Sequence, residues 1–198
     1  MTGADIAAED GARARVAGLV AGIHPFDERE RADLATASGW ISGGAPLWRT
    51  VPPDIPPTHL VSYFVLLDRC RGELLLVAHR KAGLWLPTGG HVEPGEDPWD
   101  TVRRECVEEL GVPAVAHPAA GQRPVFLTVT GTRGAGPHTD VSLWYLLVAD
   151  ASSITSHDQG EFAGIRWLTP QAVLDEPVET LDPQMHRVVR KLVATLGG

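Results

Sequence analysis

The chain has 198 residues, enough for one globular domain and an extension, and its 43% hydrophobic and 21% charged residues are ordinary for a folded protein. A formal net charge of −8 argues against general attraction to a nucleic-acid backbone, although a cation could still bridge the protein to a small polyanion. No stretch reaches the roughly 20 apolar residues of a membrane span.

The first residues, MTGADIAAEDGARARV, lack the basic start and apolar block of a secretory signal. The two cysteines, Cys70 and Cys106, make neither a disulfide framework nor a metal-ligand spacing. A reducing cytoplasm is therefore the expected location, with neither membrane nor long nucleic acid as partner.

Residues 3–22 and 27–38 are Ala-rich and charged, and Ile6, Val16, Leu19 and Val20 fall at helical spacing. HPFD breaks the pattern, and Asp27 is the expected N-cap of the second helix. The prolines of VPPDIPPT, 51–58, predict an extended linker. A boundary there divides the chain into an N-terminal helical extension, 1–57, and a main domain, 58–198.

Strand signals follow. HLVSYFVLLD (59–68) and ELLLVAHR (73–80) are apolar runs separated by RCRG, which predicts a hairpin. RPVFLTVTG (123–131), DVSLWYLLVAD (140–150) and GIRWL (164–168) predict three more strands, and helices are expected near 169–176 and 183–196. Strands, helix, strands, helix is the order of an α+β fold or of a mixed sheet with helices packed on it.

Between the second and third strand signals lies GLWLPTGGHVEPGED, a stiff Gly- and Pro-rich loop, and then a sharply punctuated helix. Asp97 suits the N-cap, Pro98 the first helical position, Asp100 the first turn, Gly111 a left-handed cap, and Pro113 blocks continuation. The helix should run from about 98 to 110, with Trp99, Val102, Cys106 and Leu110 on its core-facing arc.

Glu105, Glu108 and Glu109 share an adjacent arc near the C-terminal end. There they repel one another by a few tenths of a kcal/mol per pair, and the helix dipole disfavours them. A solvated acidic face is one explanation. A bound hard dication is another: it would reverse the sign, and Mg²⁺ takes oxygen ligands and bridges to substrate phosphates.

Residues 90–112, GHVEPGEDPWDTVRRECVEELGV, fit the pattern G-x5-E-x7-R-E-U-x-E-E-x-G-U, where U is apolar. Gly90, Glu96, Arg104, Glu105, Glu108, Glu109 and Gly111 are all in register. The stretch resembles the box of the Nudix (MutT-like) hydrolase family, and the resemblance covers about residues 59–170. Cys106 fills an apolar slot where a small aliphatic is usual, and Thr88 stands where many members place glycine after proline.

The resemblance implies a Nudix-type α/β/α sandwich with a mixed β-sheet, carrying the helical extension. It implies that Glu105, Glu108 and Glu109, with the Gly90 carbonyl, hold Mg²⁺ or Mn²⁺. Arg104, paired with Glu96, would hold the glutamates in place. Water would attack phosphorus in a diphosphate linkage of a small nucleotide, either a nucleoside triphosphate or a nucleoside diphosphate joined to another group.

The general base stays open among Glu109, Glu161 in EFAGIRW, and Asp158. Gly89, Arg80, Lys81 and His91 are candidate substrate contacts, with a solvated strand end the alternative for His79, Arg80 and Lys81. Trp48, Trp85, Trp144 and Trp167 are core residues of which one or two could stack a base. His138 and Asp140 read as a turn with an Asx-type role, and His59 as a structural histidine.

Two other readings carry less. A nucleotide-sensing or protein-interaction module of this fold usually loses box acids, and every one is present here. An isopentenyl diphosphate isomerase would want a cysteine–glutamate arrangement that is not found. Residues 1–57 could cap the pocket, pack on the sheet or form a homodimer contact.

Overall fold

The computed structural model describes residues 3–50, 56–132 and 138–196, with 3–8 as backbone only. The expected linker segment 51–55 and the side chain of Ile6 lie outside the described residues. In chain order the elements are α1 (Gly3–Ala21), α2 (Glu28–Ser42), β1 (Thr58–Asp68), β2 (Glu73–His79), β3 (Leu84–Leu86), β4 (Thr88–His91) and α3 (Pro98–Leu110), then β5 (Phe126–Gly131), β6 (Thr139–Val148), β7 (Phe162–Leu168), α4 (Pro170–Asp175) and α5 (Met185–Leu196). The strands pair in the order β3-β2-β1-β6-β5, with β4 also on β1 and β7 also on β2. Helices flank this mixed sheet, which is the α+β class expected.

Contacts divide the chain into two compact units. One comprises Met1–Ser62, Gly90–Thr101 and Arg123–Trp144; the other comprises Tyr63–Gly89, Val102–Gln122 and Tyr145–Gly198.

In the first unit, Ala12, Val16 and Val20 recur every fourth residue and bury one stripe of α1. Asp27, in extended conformation, accepts the Glu30 N–H at 2.7 Å and so caps α2, as its sequence position predicts. The helices are tied at the far end, where Arg13 Nη1 donates to the carbonyls of Ile41 (3.0 Å) and Ala45 (2.9 Å). Glu30 is fully buried, yet its carboxylate accepts the backbone N–H of Phe26 at 2.6 Å and that of Leu127 in β5 at 3.3 Å. Part of the N-terminal extension is thereby stitched to β5.

In the second unit, the β1–β2 hairpin turns on Asp68. Its Oδ1 accepts the N–H groups of Cys70 (2.8 Å) and Arg71 (3.0 Å), and Gly72 supplies the positive φ of 65° that the turn requires. Leu74, Leu75, Leu76 and Val77 of β2 are buried on both faces because β2 pairs with β3, β7 and the end of β1. Helix α5 buries Met185, Val188, Val189 and Leu192. Arg166 of β7 stacks its guanidinium 4.1 Å from the Trp85 ring centre and bonds Glu176 at 3.0 Å.

The stretch from Gly83 is not all loop. Leu84–Leu86 pairs with β2, with Val77 opposite Leu86 and His79 opposite Leu84, and Thr88–His91 pairs with β1. Pairing partners distant in sequence impose strand geometry on a segment whose glycines and proline give it little strand propensity of its own. Strand β7 likewise begins at Phe162, two residues before its predicted start, and β5 begins at Phe126, after Pro124.

Candidate active site

Helix α3 occupies 98–110, as its punctuation predicts. Asp97 Oδ1 accepts the Trp99 N–H at 2.9 Å. Gly111 takes φ 69°, and its N–H reaches the Val107 carbonyl at 3.0 Å. Thr101, Val102, Cys106 and Leu110 are buried, while Trp99 is only half-buried.

The three glutamates differ sharply in environment. Glu108 is exposed, Glu105 half-buried, and Glu109 only 5% exposed. Glu109 Oε2 accepts the Gly89 N–H at 3.0 Å. Gly89 sits at φ 136°, a conformation open to glycine but strained for other residues. Burial pushes the Glu109 carboxyl up to about 9; the nearby charges of Glu105, Glu161 and Asp158 add to this and the Gly89 N–H opposes it. Burial also raises Glu105, against the hydrogen bond and charge of Arg104, with Glu108 and Glu161 pushing upward. Arg104 Nη1 contacts Glu105 Oε1 at 2.6 Å and Glu108 Oε2 at 3.3 Å.

Two of the three candidate bases on α3 and the β7 approach are thus electrostatic neighbours of Glu109. The Asp158 N–H donates to the Glu109 carbonyl at 2.8 Å, which ties the loop before β7 to the end of α3. Arg80 then binds the same loop: its N–H donates to the Glu161 carbonyl at 2.9 Å and its Nε to the Gln159 carbonyl at 3.0 Å. The β2–β7 register shifts between Val77 and His79, just before this contact. Arg80, Lys81 and Glu161 are exposed.

Gly90, His91 and Glu96 belong to the first unit. Glu96 Oε2 accepts the Thr101 hydroxyl at 2.7 Å and the Glu93 N–H at 3.0 Å, bracing the start of α3.

His91 joins a cluster that the separate local readings of its members missed. His59, His91 and His138 present Nε2 to Asp140 Oδ1 at 3.4, 3.9 and 3.3 Å. The His59 and His138 rings stack at 4.9 Å, and those of His59 and His91 lie 4.8 Å apart. Burial, then the Arg49 charge, pulls His91 down to about 4, with His59 and His138 adding and Asp140 opposing. For His59 the lowering by burial is outweighed by Asp140 and the Pro56 carbonyl, so it is raised. The signal in the sequence was H-x-D at 138–140 beside two further strand-end histidines.

A concave patch of about 440 Å³ at the β1–β2 turn, lined by Asp68, Arg69, Cys70, Arg71, Val115, Val148, Ala149 and Asp150, contains no residue of the acidic box. Among the described residues, no helix is long and apolar enough to cross a membrane.

A family model described as the NUDIX domain matches residues 58–192, more than half of the chain. The chain belongs to the NUDIX domain family. It is a Nudix hydrolase, a MutT-like pyrophosphohydrolase, as residues 90–112 led us to expect.

Among curated proteins, Nudix hydrolase 25 of Arabidopsis thaliana is 27% identical over 156 residues, which span 69% of this chain and 87% of that protein. A putative 8-oxo-dGTP diphosphatase of Bacillus subtilis (strain 168) is 28% identical over 109 residues, spanning 54% of this chain and 64% of that protein. The fold matches a Caenorhabditis elegans Ap4A hydrolase binary complex with a TM-score of 0.56 at 21% identity, over 70% of this chain and 98% of that one. A NUDIX-family hydrolase from Clostridium perfringens matches with a TM-score of 0.52 at 19% identity, over 68% and 95%.

The donor chemistry of this Nudix hydrolase fits the divalent metal that the family uses. Glu105 and Glu109 are hard oxygen donors held out of water beside other acids, a placement that costs free energy until a cation neutralises it.

Proposed function

We propose that this Nudix hydrolase cleaves a diphosphate linkage in a small nucleotide by attack of water on phosphorus, with Mg²⁺ or Mn²⁺ as cofactor. The observation that carries this reading is Glu109, a carboxyl buried among Glu105, Glu161 and Asp158. Glu105, Glu108 and Glu109 would hold the metal, which would neutralise the diphosphate and stabilise charge developing on its oxygens.

The chain's own groups do the rest. The Gly89 N–H fixes Oε2 of Glu109. Arg104 braces Glu105 and Glu108. Glu96, through Thr101, braces the start of the helix. Glu161 is the general base in this reading: it is exposed to solvent, its charge reaches both Glu105 and Glu109, and Arg80 anchors its backbone. Arg80 keeps its terminal nitrogens for substrate phosphate, and exposed Lys81 follows it as a second cation. The catalytic domain spans 58–198, acting in a reducing cytoplasm.

The substrate is a nucleoside triphosphate or a nucleoside diphosphate joined to another group. The relatives' names, an 8-oxo-dGTP diphosphatase and an Ap4A hydrolase, both denote nucleotides with phosphoanhydride bonds.

A nucleotide panel with Mg²⁺, read by product mass, tests the proposal. Glu108→Gln and Glu109→Gln should lower turnover by several orders of magnitude in folded protein, and near-normal turnover in both would end the assignment. Glu161→Gln should lower kcat about 10²–10⁴-fold while leaving metal affinity in place. An unchanged kcat would return the base role to Glu109.

A further inference from the structure

We propose that His59, His91, His138 and Asp140 form a second, structural site for a divalent transition-metal ion of the zinc class. None of the four is one of the α3 glutamates, and they come from the start of β1, the end of β4 and the approach to β6.

Geometry carries the proposal. One atom from each side chain lies within 4.8 Å of all the others. Three imidazole nitrogens stand 3.3–3.9 Å from a single carboxylate oxygen. Those distances exceed good hydrogen bonds, which fall at about 2.7–3.2 Å. They bracket the edge of a tetrahedron of ligands around zinc, which is about 3.3 Å for bonds of about 2.0–2.1 Å.

Among the described residues, the buried Nε2 of His59 and Oδ1 of Asp140 make no aligned hydrogen bond, although His59 is fully buried and Asp140 is 9% exposed. Native proteins rarely leave buried polar atoms in that condition, and a metal ion would satisfy both at once.

The outer contacts also match those of a metal-bound histidine. His59 Nδ1 lies 3.0 Å from the Pro56 carbonyl, which can only accept, so Nδ1 carries the hydrogen and Nε2 the lone pair. His138 Nδ1 lies 3.0 Å from the Thr132 hydroxyl, which also accepts the His138 N–H at 3.1 Å.

Three nitrogens and one oxygen suit zinc, nickel or cobalt, whereas the all-oxygen glutamate set suits magnesium or manganese. Four protein ligands close the coordination sphere, which is the pattern of a structural site. Its effect would be to pin three chain segments of the first unit together.

The test uses the full chain, stripped with chelator, dialysed against zinc chloride and assayed for bound metal. Wild type should retain about one zinc per chain, and so should the Glu105→Gln/Glu108→Gln/Glu109→Gln variant. Asp140→Asn and His138→Ala, checked for folding by circular dichroism, should lose most of it, and zinc should raise the Tm of wild type but not of these two. X-ray absorption at the zinc edge of the wild type, which needs no variant, should show scattering from several imidazoles. Wild type without retained zinc, full retention in both cluster variants, loss in the glutamate variant, or a zinc edge without imidazole scattering would each overturn the proposal.

Discussion

Glu109 Oε2 and the Gly89 N–H meet at 3.0 Å, so a glycine of β4 holds the most deeply buried acid of the helix. This contact links β4 to the C-terminal end of α3 within the second unit, and the behaviour of the site follows from it.

The contact is only partial compensation. Burial and neighbouring acids lift Glu109 from 4.5 to about 9, so the folded, metal-free protein binds a proton there that the unfolded chain releases. Stability from this group is complete below pH 4.5 and is lost as pH rises through about 9. Metal-free protein should lose stability across that window at no more than about 1.4 kcal/mol per pH unit from this group. Glu109→Gln or saturating Mg²⁺ should flatten the slope. Urea melts from pH 5 to 9 check this, and equal slopes for wild type and Glu109→Gln would contradict it.

Gly89→Ala forces a side chain into φ 136°. The strain should cost about 1–3 kcal/mol. Relief of that strain would shift the N–H that holds Glu109, so metal affinity should fall together with Tm. Calorimetric titration with Mn²⁺ alongside thermal melts measures both, and a variant with lowered Tm but intact Mn²⁺ affinity would show that Gly89 serves only the backbone.

Arg104 lowers Glu105 by hydrogen bond and charge, against burial. Arg104→Ala should therefore raise Glu105 further and move the acid limb of the kcat/KM profile to higher pH, because protonated Glu105 cannot serve as a ligand. Arg104→Lys keeps a charge there and should move the limb less. A profile that scales down in height without moving would contradict this.

The helix of the site was legible to the residue because its ends are local chemistry: Asp97, Pro98, Gly111 and Pro113 act within one turn of themselves. The convergence of Glu105, Glu108 and Glu109 on one arc followed from helical periodicity. Their unequal burial did not, because Glu109 is covered by a segment twenty residues earlier in the chain. Strands β3 and β4 were read as loop because glycine and proline dominate locally, and only pairing with β2 and β1 makes them strands. The cluster around Asp140 was missed for a similar reason. His59, His91 and His138 each have an ordinary local explanation, and only the sheet brings them together.

In the proposed function, glutamates of one helix gather a divalent cation. Electron paramagnetic resonance of free Mn²⁺, titrated with protein, measures this directly in wild type, in Glu105→Gln/Glu108→Gln/Glu109→Gln and in His138→Ala. The glutamate variant should lose Mn²⁺ binding while His138→Ala keeps it. Mn²⁺ binding undiminished in the glutamate variant would rule out these glutamates as the cation's ligands.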